Sequence, residues 1–151
     1  MSQETDRALK LWVVLSRAHA AVAAHSQADI ARSGLTPAEF GILEALHHKG
    51  PMLLGEVQKK ILVTSGGVTY LVDRLAAKGL VERQRCDRDR RAYYAALTPA
   101  GRELIQEIFP RHAEAIRRAM EGLTEEEKDA AIPLVRALGT HAARTEPEGG
   151  E

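Results

Sequence analysis

Apolar residues recur along most of this chain at helical spacing, and the places where that spacing breaks divide it. From Asp6 to Arg32 there is no Pro or Gly, and Ala, Leu and Val dominate, which predicts one long helix. Leu9, Trp12 and Val13 fall on one stripe of that helix, and Leu11, Val14, Leu15, Ala18 and Val22 fall on a second. A helix apolar on two faces needs two partners, its own domain and another chain. Gly34 ends it, and Thr36-Pro37-Ala38-Glu39 opens the next with Thr at the cap, Pro at the first helical position and Glu three residues beyond the cap. Phe40, Leu43 and Leu46, flanked by Ile42, form the buried stripe of this second helix, and Gly50-Pro51 stops it. Met52 to Lys60 reads as a further short helix with Leu53, Val57 and Ile61 on its apolar side. Ile61-Leu62-Val63 then leads to a cap at Thr64 or Ser65 and a helix running to Lys78, closed by Gly79. Two short helices joined by a brief turn predict a helix-turn-helix.

Beyond Gly79 the helical spacing breaks off, and the alternation that follows is imperfect. Val81 to Arg85 and Ala92 to Leu97 read as strands, separated by Cys86-Asp87-Arg88-Asp89-Arg90-Arg91, so a β-hairpin with a long polar tip is expected. Thr98-Pro99 repeats the capping device and starts a long helix to about Glu121, with a bend at Pro110. Thr124-Glu125-Glu126-Glu127 is a second capping box and opens a last helix, bent near Pro133. Thr145 to Glu151 is an acidic, Gly-rich tail expected to be disordered. The fold class is therefore mainly α with a small β-hairpin wing: a compact middle flanked by long helices. The 151 residues fit one domain with an appended helical element. Aromatic residues make up only 4% of the chain, so the core is built from Leu, Val, Ile and Ala, as packed helices favour.

Net charge is zero and says nothing about a nucleic-acid partner, but local charge does. Between Asp73 and Arg91 seven basic residues face four acidic ones. In the helix before this stretch, Val68, Leu71, Val72 and Leu75 match the template for one buried face. The opposite face carries Gly66, Tyr70, Asp73 and Ala77, flanked by Gly67, Thr69 and Arg74. Small residues and free N–H groups at its N-terminal end admit a phosphate backbone, and Thr69, Tyr70 and Arg74 suit base edges or phosphates from a helix in the major groove. At the hairpin tip Arg88, Arg90 and Arg91 suit a narrow minor groove, with Asp87 and Asp89 as partners that orient them. An ordinary solvated helix face and charged turn would carry the same residue types.

Six histidines, His19, His25, His47, His48, His112 and His141, include no i, i+4 pair, so neither a metal site nor a cofactor is expected. The single cysteine, Cys86, excludes an internal disulfide and suits a reducing compartment. Arg85 and Arg88 beside it would favour its thiolate and make it a candidate oxidation sensor. No hydrolase elbow, P-loop, dinucleotide fingerprint or zinc-protease motif is found, so no catalytic residue is assigned and an enzyme is not expected. Neither a leader pattern nor an apolar run of membrane-spanning length is seen, so the chain reads as cytoplasmic and free of the membrane.

Taken together, Gly34-Leu35-Thr36-Pro37-Ala38-Glu39-Phe40, the run from Ile61 to Leu75, and Lys78-Gly79-Leu80-Val81-Glu82-Arg83 resemble the MarR family of winged helix-turn-helix transcriptional regulators. Asp89-Arg90-Arg91 and Leu97-Thr98-Pro99-Ala100-Gly101 resemble that family's wing and the start of its next helix. The resemblance spans essentially the whole chain. It implies a homodimer held by the first and last helices, acting as a repressor on a pseudo-palindromic operator in double-stranded DNA. Residues 1–34 would be the N-terminal dimerisation helix, 35–98 the DNA-binding domain, 99–144 the C-terminal dimerisation helices and 145–151 the tail. DNA contacts would come from Thr64, Ser65, Gly66, Thr69, Tyr70 and Arg74 on the recognition helix and from Arg88, Asp89, Arg90 and Arg91 on the wing, Asp89 and Arg91 matching the family's wing pair. It also implies a small aromatic or phenolic effector, with Trp12, His19, His25 and Phe40 as candidate pocket residues that are equally at home as ordinary core. The competing readings are an oxidation sensor acting through Cys86 and a winged-helix module for protein–protein contact.

Overall fold

The fold was taken from a computed structural model, which describes residues 1–61 and 65–145. It divides into two compact units, Met1–Ile116 and Arg117–Glu151. In the first unit the order is α1 (Gln3–Ala31), α2 (Pro37–Lys49), β1 (Met52–Leu53), α3 (Leu54–Ile61), α4 (Ser65–Ala77), β2 (Val81–Cys86), β3 (Asp89–Leu97) and the greater part of α5 (Pro99–Ala119). The second unit holds the last residues of α5 and α6 (Glu125–Arg144).

The core of the first unit is aliphatic, as the composition requires. Ile42, Leu43, Val57, Val72, Leu75 and Ile105 are its fully buried centre, drawn from α2, α3, α4 and α5. Val68, Val72 and Leu75 put one stripe of α4 inward, and its opposite face is left to solvent. Around this core the three strands form one antiparallel sheet in the order β1-β3-β2.

The turns that set the angles between helices follow from a few side chains. The Thr36 hydroxyl accepts from the Glu39 N–H at 3.2 Å and the Glu39 carboxylate accepts from the Thr36 N–H at 3.1 Å, closing the predicted capping box. The second Glu39 oxygen accepts from Lys78 Nζ at 2.8 Å, so one buried carboxylate joins the start of α2 to the end of α4. Thr98 caps α5 by accepting from the Gly101 N–H and donates to the Gly79 carbonyl at 2.6 Å. At Gly101 a Cβ would lie 1.9 Å from the Leu80 carbonyl oxygen, so only glycine lets α5 start this close to the wing.

Two expectations change. Met52 and Leu53 do not begin a helix; they pair with Ala95 and Tyr94 as a short edge strand. Pairing satisfies their backbone and buries Met52, and this outweighs the helical spacing of the apolar residues. The wing strands are longer than expected, with Asp87 and Arg88 as the turn: Cys86 pairs with Asp89, and a register shift between Arg85 and Cys86 leaves Arg90, Arg91 and Ala92 as extra residues on β3. The last two helices run to Ala119 and Arg144, close to the expected ends, with Pro110 inside α5 and Pro133 inside α6. At the final cap the Thr124 hydroxyl accepts from the Glu127 N–H at 3.2 Å. The expected cap at Thr64 and the tail beyond Thr145 lie outside the described residues.

Candidate nucleic-acid interface

The solvent face of α4 carries Thr69, Tyr70, Asp73, Arg74 and Ala77, all exposed, with Tyr70 59% accessible despite its aromatic ring. An aromatic ring left in water on the polar face of an otherwise well-packed helix is the feature a buried-core account does not explain. Tyr70 is not loose: Arg74 donates to its hydroxyl at 3.3 Å, and the guanidinium lies 5.8 Å from the ring centroid. The hydroxyl contact raises the Arg74 pKa further above its ordinary value, so the pair presents a fixed cation beside an aromatic donor. Ser65 and Gly66 belong to the first turn of the same helix. Thr64 is not among the described residues.

The wing is joined to this face through charge. Asp73 of α4 and Arg83 of β2 form a 2.7 Å ion pair, and Arg83 also lies 5.6 Å from the Tyr93 ring of β3. Both wing strands are thereby held against the exposed face of α4. Beyond this point Arg88 lies in the turn and Asp89, Arg90 and Arg91 on β3, all exposed. Asp89 accepts from the Arg91 backbone N–H at 2.9 Å. The Asp89 carboxylate thus engages the backbone of Arg91.

Other candidates are dispersed. Trp12 (65% accessible), His19 and His25 are exposed along α1, whereas Phe40 is buried with its ring 4.5 Å from that of His112. The described structure does not bring these four together, and Phe40 is a core residue. Cys86 is half-buried at the end of β2, and its electrostatic interaction and hydrogen bond with the Tyr94 side chain raise the Tyr94 pKa. Among the described residues no group of three His, Cys, Asp or Glu side chains could hold a metal ion. No described helix is long and apolar enough to cross a membrane.

One polar cluster escapes the sequence reading. Asp29, buried near the end of α1, accepts from Arg111 Nε at 3.0 Å and contacts His112 Nδ1 at 3.3 Å, while Arg111 also donates to Ser33 at 2.7 Å. The pairs are 82 and 83 residues apart in sequence, beyond the reach of any local pattern. A signal existed nonetheless. An acid in the last turn of a helix opposes the helix dipole, and Arg32 at the C-cap, exposed and 3.9 Å from the carboxylate, offsets it only in part, so Asp29 called for a further partner.

A helical core, two successive short helices of which the second is exposed on one face, and an arginine-bearing hairpin beside them define a winged helix-turn-helix of the DNA-binding kind. The MarR family profile matches residues 33–92. The chain is 39% identical over 140 residues to the Bacillus subtilis HTH-type transcriptional regulator YkoM, covering 93% of this chain and 91% of that protein. It is 40% identical over 138 residues to MhqR of the same organism, covering 91% and 95% respectively. Among solved structures, BpsR of Bordetella bronchiseptica superposes with a TM-score of 0.77 at 31% identity, over 86% of this chain and 98% of that one. AbsC of Streptomyces coelicolor shares the fold at a TM-score of 0.84 and 20% identity, over 96% and 98%. The chain belongs to the MarR family and is a DNA-binding transcription regulator rather than an enzyme.

Proposed function

We propose that two copies of this chain bind one pseudo-palindromic operator as a cytoplasmic repressor, each placing α4 in a major groove and its wing in the flanking minor groove. The exposed, mutually fixed Tyr70–Arg74 pair on α4 carries this reading. On it, Thr64, Ser65, Gly66, Thr69, Tyr70 and Arg74 meet bases and phosphates, and Arg88, Asp89, Arg90 and Arg91 form the wing contact. Residues 35–98 are then the DNA-binding part, with 1–34 and 99–144 supplying the dimer. Support for the dimer comes from apolar side chains left in water: Leu9, Leu11 and Trp12 on α1, and Leu134 and Val135 on α6. The relatives MdtR and YetL are named as transcriptional repressors. DNA binding by BpsR is regulated by 6-hydroxynicotinic acid, and a small hydroxylated aromatic effector is proposed for this chain on that similarity.

The test is fluorescence anisotropy with a duplex from the region upstream of the chain's own gene and a scrambled duplex of equal length. Tight binding that prefers the upstream duplex and weakens steeply with salt is expected. Absence of binding by folded, dimeric protein to either duplex contradicts the proposal.

A further inference from the structure

Among the described residues, α1 gives the buried apolar cluster a single side chain, Ile30. Apolar burial is non-directional, so a contact of that size sets no angle between helices. The angle is set by Asp29, the other buried residue of α1. Its Oδ1 accepts from Arg111 Nε at 3.0 Å and its Oδ2 meets His112 Nδ1 at 3.3 Å, so consecutive residues of α5 hold the two oxygens of one carboxylate. Arg111 Nη2 also donates to Ser33 Oγ at 2.7 Å and to the Asp29 carbonyl at 3.4 Å. One guanidinium therefore grips both the last turn of α1 and the turn that leads on to α2. The His112 ring lies 4.5 Å from the ring of Phe40 on α2. Three helices meet at this joint.

The joint lies between the apolar face of α1 and the exposed face of α4. Leu9, Leu11 and Trp12 stand in water near the start of α1, and Asp29 is near its end. At 1.5 Å per residue, about 26 Å separates Trp12 from Asp29. Beyond the joint, α2 is locked to α4 by the 2.8 Å Glu39–Lys78 pair and by the shared core of Ile42, Leu43, Val72 and Leu75. A close-packed core transmits strain rather than absorbing it, so α2 and α4 move as one body. Over that arm a tilt of about 4° displaces the body by about 2 Å, and two copies together shift by about one base-pair rise of 3.4 Å.

We propose that Asp29, Arg111 and His112 are positioning residues that fix the half-site spacing this protein accepts. They touch no DNA and act through α2 on the placement of α4. This role rests on the reading of two copies on one operator, and it adds what selects the distance between the half-sites.

The test is fluorescence anisotropy on four duplexes: the upstream site, the same site with one base pair added or removed between half-sites, and a single half-site. The parent is expected to bind the natural spacing at least about tenfold tighter than either altered one. Arg111→Lys keeps the charge, but an ammonium lacks the planar fork that holds Asp29 and Ser33 together. His112→Phe keeps a ring against Phe40 and drops the carboxylate contact. Both variants are expected to cut the spacing preference to about threefold or less while leaving single half-site affinity within about twofold of the parent. Sedimentation is expected to show both as dimers. Ile105→Val, a change in the buried core on the same helix, lowers the melting temperature without touching the joint and is expected to keep the preference of the parent. A parent indifferent to spacing, joint variants that keep its preference, or an equal relaxation in Ile105→Val overturns the role. A parent that leaves no paired footprint on the upstream duplex overturns the two-copy reading instead, so the two failures are distinguishable.

Discussion

Glu39 and Gly101 show how single residues position the DNA-facing surface without touching it. Burial of the Glu39 carboxylate raises its pKa, but hydrogen bonds from Lys78 and Thr36 and the Lys78 charge outweigh this, so its pKa is lowered below the ordinary 4.5. A carboxyl group whose folded pKa is depressed contributes stability above its unfolded value and loses it as pH falls through the folded one. Urea unfolding of Glu39→Gln against the parent is therefore expected to show a deficit of about 1–3 kcal/mol near neutrality that shrinks as pH drops below 4.5. A deficit independent of pH would mean that the Lys78 pair contributes nothing. Gly101→Ala acts through sterics alone. A methyl group placed 1.9 Å from the Leu80 carbonyl must push α5 from the wing. The expected cost, read by thermal melting, is about 3 kcal/mol or more, in the range of severe overpacking.

At the scale of elements, α1 and α5 are tied by Asp29, Arg111 and His112, with Phe40 of α2 packed on the His112 ring. Removing Arg111 would strip a buried carboxylate of its strongest donor. Because the guanidinium is 38% exposed, the expected destabilisation from Arg111→Ala is about 2 kcal/mol, less than for a wholly buried pair. Denaturant unfolding measures it, and a loss under about 0.5 kcal/mol would show the tie to be incidental. On α4, Tyr70→Phe removes the hydroxyl that Arg74 engages but keeps the ring. If the pair reads bases, discrimination between upstream and scrambled duplex falls by about tenfold, with little change in melting temperature.

Elements governed by neighbouring residues are legible in the sequence. The Thr36–Glu39 box, the Thr98 cap and the Val68-Val72-Leu75 stripe rest on spacings of three or four residues, and the fold follows those spacings. The candidate interface is legible for the same reason, since the outer face of α4 is fixed once its inner face is known. What is not legible depends on partners distant in sequence. Met52 and Leu53 become a strand only because β3 arrives beside them, and Asp29 finds its donors more than eighty residues away.

At the scale of the whole molecule, zero net charge and a basic recognition surface are compatible because the charge is distributed unevenly. The region from Asp73 to Arg91 holds the excess of basic residues, and two copies would place two such regions on one duplex. Apolar side chains in water at both ends of the chain argue that one copy is incomplete. Trp12→Glu is accordingly expected to shift the protein to monomer in sedimentation and, through the loss of paired docking, to weaken operator binding by at least about a hundredfold. The central claim is that two α4 helices and two wings engage one duplex together. Hydroxyl-radical footprinting of the upstream duplex addresses it most directly. Two protected half-sites about one helical turn apart are expected, related by a dyad and each flanked by a minor-groove protection that disappears in Arg88→Ala. A single unpaired footprint, or flanking protection unaffected by Arg88→Ala, would contradict it.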